Sequence, residues 1–269
     1  SSDKIIEKSI AISYKEKEKE LKNYVTLAYK TIQSYHLKTS KNNIKDEVKH
    51  YIEEQSEYLF SIINKEYEKN KNILPEAELK KRIISIVNST RYGKSGYFWI
   101  NDFKYNMIMH PIKEDLNGKN FENSKKISFL KLGVDELNKS SKEKGFIEYS
   151  FYHPKSKKTV FKSSIVKVFK PYNWIIGTGS YIDDVSEKIK NEALKVISQM
   201  KYGETGYFWI IDSNHKLLMD GAMQTFPNEN KYEVKNSNGI YLYREIVKTA
   251  TKNPNGDFVR YFWTIPYKK

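Results

Sequence analysis

The chain has 269 residues, 39% hydrophobic and 14% aromatic, with a formal net charge of +14. That composition belongs to a chain that buries a core in one large domain or two small ones, and it excludes a disordered one. Zero cysteines exclude disulfides, thiolate metal sites and cysteine nucleophiles. No apolar run approaches the roughly 18 residues of a membrane span, and no signal-peptide pattern opens the sequence.

Residues 3–71 read as helix. Ile5, Ile12, Leu21, Val25, Ala28 and Ile32 recur at near-helical spacing, as do Ile44, Val48, Tyr51, Ile52, Leu59, Ile62 and Ile63, and no Pro or Gly intervenes before Pro75. Thr39–Asn43 is the expected break. Such an element either covers a face of its own sheet or forms a dimer seam. Pro75 starts a shorter helix running to about Ser89, with Glu76 and Glu78 near its positive end. The pattern then becomes strand-like, with candidates at Tyr97–Asp102, Tyr105–Met109, Phe146–Tyr152, Thr159–Phe169 and Trp174–Ser180, and a helix at Ile127–Ser141. A further helix is expected over Val185–Met200.

The basic balance does not point to nucleic acid. Arg82, Arg91, Arg244 and Arg260 are the only arginines, whereas base and phosphate recognition favours the bidentate Arg fork. The lysines are dispersed among acids, as from Lys15 to Glu20, where neighbours pair along a helix.

The strongest pattern is an internal repeat. Residues 91–100 (RYGKSGYFWI) and 201–210 (KYGETGYFWI) share seven of ten positions at an offset of 110, and Phe146–Tyr149 matches Phe258–Tyr261 at an offset of 112, with Pro154 matching Pro266. Two copies of one module account for the length. The second copy stops short of a counterpart to the last strand, so it is expected to be truncated.

The run Arg91-Tyr92-Gly93-x-x-Gly96-Tyr97-Phe98-Trp99-Ile100-Asn101-Asp102 is followed by Met109-His110-Pro111-Ile112, Leu116-Asn117-Gly118-Lys119 and Trp174 to Asp184. In that order it resembles the Cache sensor module of bacterial chemoreceptors and sensor kinases. The resemblance implies an α+β fold: a long N-terminal helix and two PAS-like modules, each an antiparallel five-stranded sheet flanked by helices. The expected division is a helical region at 1–74, a first, membrane-distal module at 75–184, and a linker helix with an incomplete, membrane-proximal module at 185–269. It further implies the periplasmic, extracytoplasmic part of an inner-membrane receptor that binds a small carboxylate or amino acid in the first module without chemistry on it and passes a conformational signal to a cytoplasmic output domain. The alternative is a ligand-free ectodomain that dimerises, through the N-terminal helix, or binds a partner protein. No Ser-His-Asp order, phosphate loop or metal set supports catalysis, and neither a cofactor nor a metal is expected.

Strand alternation puts Tyr97, Trp99 and Asn101 on one face and Phe98, Ile100 and Asp102 on the other. Tyr97 and Trp99 either line a ligand cavity or fill the core. His110 either donates to a carboxylate or caps a strand end, and it has no companion at metal-ligand spacing. Lys113 opens a polar loop to Asn123 that is either a lid or a surface connection. Lys162 faces water, or faces inward with Tyr149 as the partner of an anion. Tyr181 either contacts the ligand or ties strand to linker, and Asp183 and Asp184 read as caps of the next helix. The second module keeps Tyr207 and Trp209, with Tyr261 matching Tyr149, but sets Asp220-Gly221 where the first has His110-Pro111. An acid there would repel a carboxylate, which makes this copy the weaker candidate for binding.

Overall fold

In the computed structural model the backbone is described from Ser2 to Tyr261, and side chains from Lys15 onward, Ser140 excepted. Ile5, Ile12 and Pro266 therefore carry expectations outside the described residues. The elements in chain order are α1 (Ser2–Lys38), α2 (Ile44–Asn70), α3 (Glu76–Ser89), β1 (Phe98–Asp102), β2 (Met107–Met109), α4 (Ser128–Ser140), β3 (Lys144–Tyr152), β4 (Thr159–Phe169), β5 (Trp174–Tyr181), α5 (Ile182–Gln199), β6 (Lys201–Tyr202), β7 (Gly206–Tyr207), β8 (Trp209–Ile211), β9 (Lys216–Asp220), β10 (Glu229–Asn230) and α6 (Leu242–Lys252). The long helix does break at residues 39–43, where the amides of Asn43 and Ile44 turn back to the Ser40 carbonyl.

The chain divides into two compact units, residues 40–187 and residues 1–39 with 188–269. A separate helical region at 1–74 is therefore not what forms. Val48, Ile52, Leu59 and Ile63 of α2 are almost fully buried within the first unit, whereas Ala28 of α1 is buried with Ile197 and Met219 of the other. The break assigns each half-helix to a different core; α1 buries Ala28 and packs Ile32 in its own, while Leu21 and Val25 stay exposed.

In the unit 40–187 five antiparallel strands run in the order β2-β1-β5-β4-β3. The alternation read from the sequence decides its two faces. Phe98, Ile100, Trp174 and Ile176 pack with Leu59, Ile63, Leu79, Ile83 and Val87 of α2 and α3. Tyr97, Trp99, Ile147, Tyr149, Val166 and Ile175 form the opposite core with Phe129, Leu130, Val134 and Leu137 of α4. Burying a side chain such as Ile83 contributes roughly 1.5–3 kcal/mol. Close packing on this second face depends on Gly177, where an added Cβ would lie 2.2 Å from the Trp99 indole.

In the unit 1–39 with 188–269, β8 and β9 repeat the first hairpin, but the described residues give a three-stranded sheet β10-β9-β8 and a separate β6-β7 pair. Among the described residues this unit has no five-stranded sheet. Phe258–Tyr261, the match to Phe146–Tyr149, is not a strand. In the first unit β3 pairs only with β4; with no counterpart of β4 among the described residues, that segment has no ladder to join.

Candidate functional site

The site of the unit 40–187 lies on the α4 face of the sheet. Register places Tyr149 and Tyr181 directly across from Lys162 on either side, so the three share one row and one face. Lys162 therefore faces inward and not water, with 1% of its surface exposed. Its Nζ donates to the Tyr97 hydroxyl at 3.0 Å and sits 4.3 Å from the Tyr97 ring, 5.4 Å from Phe151 and 5.5 Å from Trp99 and Tyr181. Gly179 makes room for it, since a Cβ there would meet Ser164 Oγ at 1.9 Å and Lys162 Cε at 2.9 Å. Burial lowers the ammonium pKa to about 7, with no carboxylate among the described residues acting on it.

His110 reaches this face through a bulge. Ile100 pairs with Met109, yet Asn101 pairs with Met107. The slip keeps Met109 on the helix side and turns the next residue toward Lys162. His110 is 1% exposed. Its Nδ1 accepts the backbone N–H groups of Ile112 (3.2 Å) and Lys113 (2.9 Å), which fixes the neutral tautomer with the proton on Nε2. Nε2 is buried with no hydrogen-bond partner among the described residues. Burial, then Lys162, Lys113 and Arg91, hold its pKa down at about 3. His110 thus does both of the things weighed for it: Nδ1 caps the strand end and Nε2–H is a neutral donor beside the buried ammonium.

The remaining residues pack around these two. Tyr149 stacks on Phe129 (5.4 Å) and bonds Ser164 Oγ at 2.7 Å. Phe151 packs edge-on to Phe129 and against His110. Burial raises the hydroxyl pKa values of Tyr97, Tyr149 and Tyr181, so all three stay protonated. Trp99 packs there as well, its Nε1 tied to Asn101 Oδ1 at 2.9 Å. Lys113 stands outside the buried cluster, with its Nζ 3.9 Å from the Tyr152 ring centre. The loop it opens is laced to β2 through Gly118 N–H to Met107 O, Met107 N–H to Lys119 O and Phe121 N–H to Tyr105 O.

Tyr181 touches both sides of the question left open for it. Its ring faces Lys162 while its hydroxyl donates to Tyr152 O at 2.6 Å, and His153 packs on its other side at 4.3 Å. His153 Nδ1 accepts the amides of Lys155 and Ser156, leaving Nε2–H to donate to Asp184 Oδ2 at 2.8 Å. Ser95 donates to the same oxygen at 2.9 Å. Asp184 is therefore not a cap but the tie between strand ends and the first turn of α5. Sequence reading missed His153, Phe129 and Phe151; only the parity of Phe151 with Tyr149 along β3 signalled one of them.

In the other unit Tyr207, Trp209, Asp220 and Tyr261 line one cavity, joined by Tyr243 of α6. Here too a slip separates Ile210–Met219 from Ile211–Leu217, so Asp220 is aimed as His110 is.

The unit 40–187 thus sets a buried ammonium among aromatic side chains on one face of a five-stranded antiparallel sheet. The Cache domain family model dCache_2 matches residues 3–269, and the chain belongs to that family of receptor sensor domains. It is 30% identical over 114 residues to the methyl-accepting chemotaxis protein McpP of Pseudomonas putida (strain KT2440), covering 42% of this chain and 21% of that protein. It is 29% identical over 106 residues to the sensor histidine kinase MctS of Rhizobium johnstonii, covering 39% and 23%. The chain thus matches under a quarter of the length of either relative. A solved structure described as the periplasmic sensor domain of a chemotaxis protein aligns with 24% identity over 50% of this chain and 94% of its own, at a TM-score of 0.45. Among the described residues no helix is long and apolar enough to cross a membrane.

Proposed function

We propose that residues 40–187 bind a small monocarboxylate, and that the chain is the extracytoplasmic sensor region of a membrane-anchored receptor that passes the binding signal to an output domain. The observation that carries this is Lys162: a fully buried ammonium whose one hydrogen-bond acceptor is a neutral phenol and whose pKa is moved by burial alone. Beside it lie a second buried donor, His110 Nε2–H, and the Tyr97 hydroxyl. Three donors without an acidic acceptor suit a carboxylate. They do not suit an amino acid, because its ammonium would meet a cation in a low-dielectric chamber. The signal would leave through Tyr181, His153 and Asp184, which connect the chamber wall to α5, by favouring one of two arrangements of that joint.

The test is calorimetric titration with acetate, propionate and pyruvate against glycine, alanine and propionamide. A carboxylate alone should bind, and Lys162→Met should remove about 10–100-fold of its affinity. Equal binding of propionamide, or an unaffected Met variant, would refute the assignment.

A further inference from the structure

The cavity of the unit 1–39 with 188–269 holds the inverse chemistry. It measures about 40 Å³, room for roughly three water-sized bodies. Its lining is the aromatic side chains of Tyr207, Trp209, Tyr243 and Tyr261 and three aliphatic ones, with Asp220 among them. The Trp209 and Tyr243 rings meet edge to face at 6.1 Å, and Trp209 also bonds the Tyr261 hydroxyl.

Asp220 occupies this position by construction of the fold. The hairpin slip at Ile210 and Ile211 reproduces the one at Ile100 and Asn101. The turn that follows is capped in the same way: Asp220 Oδ1 accepts the Ala222 amide at 2.9 Å, as His110 Nδ1 accepts that of Ile112. One side-chain acceptor closes the turn and the second polar atom is left over. In His110 that atom is a donor; in Asp220 it is Oδ2, which has no hydrogen-bond or ion-pair partner among the described residues. The nearby Lys201 ammonium donates to the Gly221 carbonyl instead. A half-buried carboxylate with no ion pair among the described residues, in a cavity lined by four aromatic rings of which Tyr207 has the Lys201 ammonium 5.9 Å from its centre, attracts positive charge both by Coulomb interaction and through the ring quadrupoles.

We propose that this cavity is a second binding site, for a small organic cation of the methylammonium to trimethylammonium class. One chain would then carry two sensors of opposite ligand charge built on the same hairpin. The proposal does not depend on the carboxylate assignment.

The test is titration of the whole chain with methylammonium, dimethylammonium and trimethylammonium chlorides at constant ionic strength, with sodium chloride and tert-butanol, a neutral body of similar size, as controls. Saturable binding of an amine and not of the controls is expected. Asp220→Asn keeps the Oδ1 acceptor for Ala222 and hence the turn, and should weaken binding about 10–100-fold. Tyr243→Leu, at the edge of the cavity, should weaken it about 5-fold. Lys162→Met should leave it unchanged, which separates this site from the carboxylate chamber. No saturable amine binding, equal binding of tert-butanol, or two variants that bind as the parent does would each overturn the proposal.

Discussion

Replacing Lys162 by Met removes a buried charge while keeping most of the side-chain volume, and its consequences can be worked out before the experiment. In the native chain burial lowers the ammonium pKa from the ordinary 10.5 to about 7; in the unfolded chain it keeps the ordinary value. Between those values the unfolded chain binds about one proton more than the native chain, so native stability rises with pH. The destabilisation is fully present below pH 7 and is gone above 10.5. From pH 7 to 9 the ligand-free protein should gain about 2 kcal/mol, or about 4–8 °C in Tm for this size of domain. Above that window the buried tyrosines oppose the trend, because burial raises their pKa values and the unfolded chain ionises first. Urea unfolding followed by circular dichroism at pH 7 and pH 9, in buffer free of carboxylates, measures the effect directly. Lys162→Met should lack the gain and be the more stable protein at pH 7. The same proton governs binding: the charged fraction falls from about a half at pH 7 to about a hundredth at pH 9, so propionate should bind about 50-fold more weakly at the higher pH. Equal pH slopes for the parent and the Met variant would refute the assignment of a buried, uncompensated ammonium.

His110 should act as a neutral donor at every working pH, because its pKa is held at about 3. Propionate affinity should therefore rise no more than about twofold from pH 7 to 5.5, and a steep rise would show a titrating imidazole instead. Gly177→Ala should cost about 1–3 kcal/mol in urea unfolding, since the new methyl group overlaps the Trp99 indole; an unchanged midpoint would mean the sheet and the indole are looser than described. His153→Ala should lower stability by about 1–2 kcal/mol by stripping Asp184 of a donor, yet leave propionate affinity within about threefold, and a larger loss of affinity would place His153 in the chamber itself. Ile83→Ala, fully buried against the sheet, should cost about 2–5 kcal/mol, and a loss under 1 kcal/mol would contradict the packing of α3.

Local sequence determined the elements and their phase. The helix break follows from the polar run Thr39–Asn43 between two apolar-periodic stretches, and the strands from Phe98 to Tyr181 and the opposition of Phe98 and Ile100 to Tyr97 and Trp99 follow from a two-residue period. The repeat likewise announced two modules, and Tyr207, Trp209, Asp220 and Tyr261 did converge. Periodicity gives the relative orientation of neighbours but not which face is covered or by what. Lys162 was therefore undecided until α4 and the Phe129–Phe151 pair closed over its face. Which helix half belongs with which core was decided the same way, α1 with residues 188–269 and α2 with the first sheet. The hairpin slip that turns His110 and Asp220 inward is a matter of ladder register between strands, and the His110 tautomer depends on two backbone amides that only the folded turn brings to its ring. Sequence carries the charge and the period; the sign of a buried site depends on what is missing around it, and that is a property of tertiary packing.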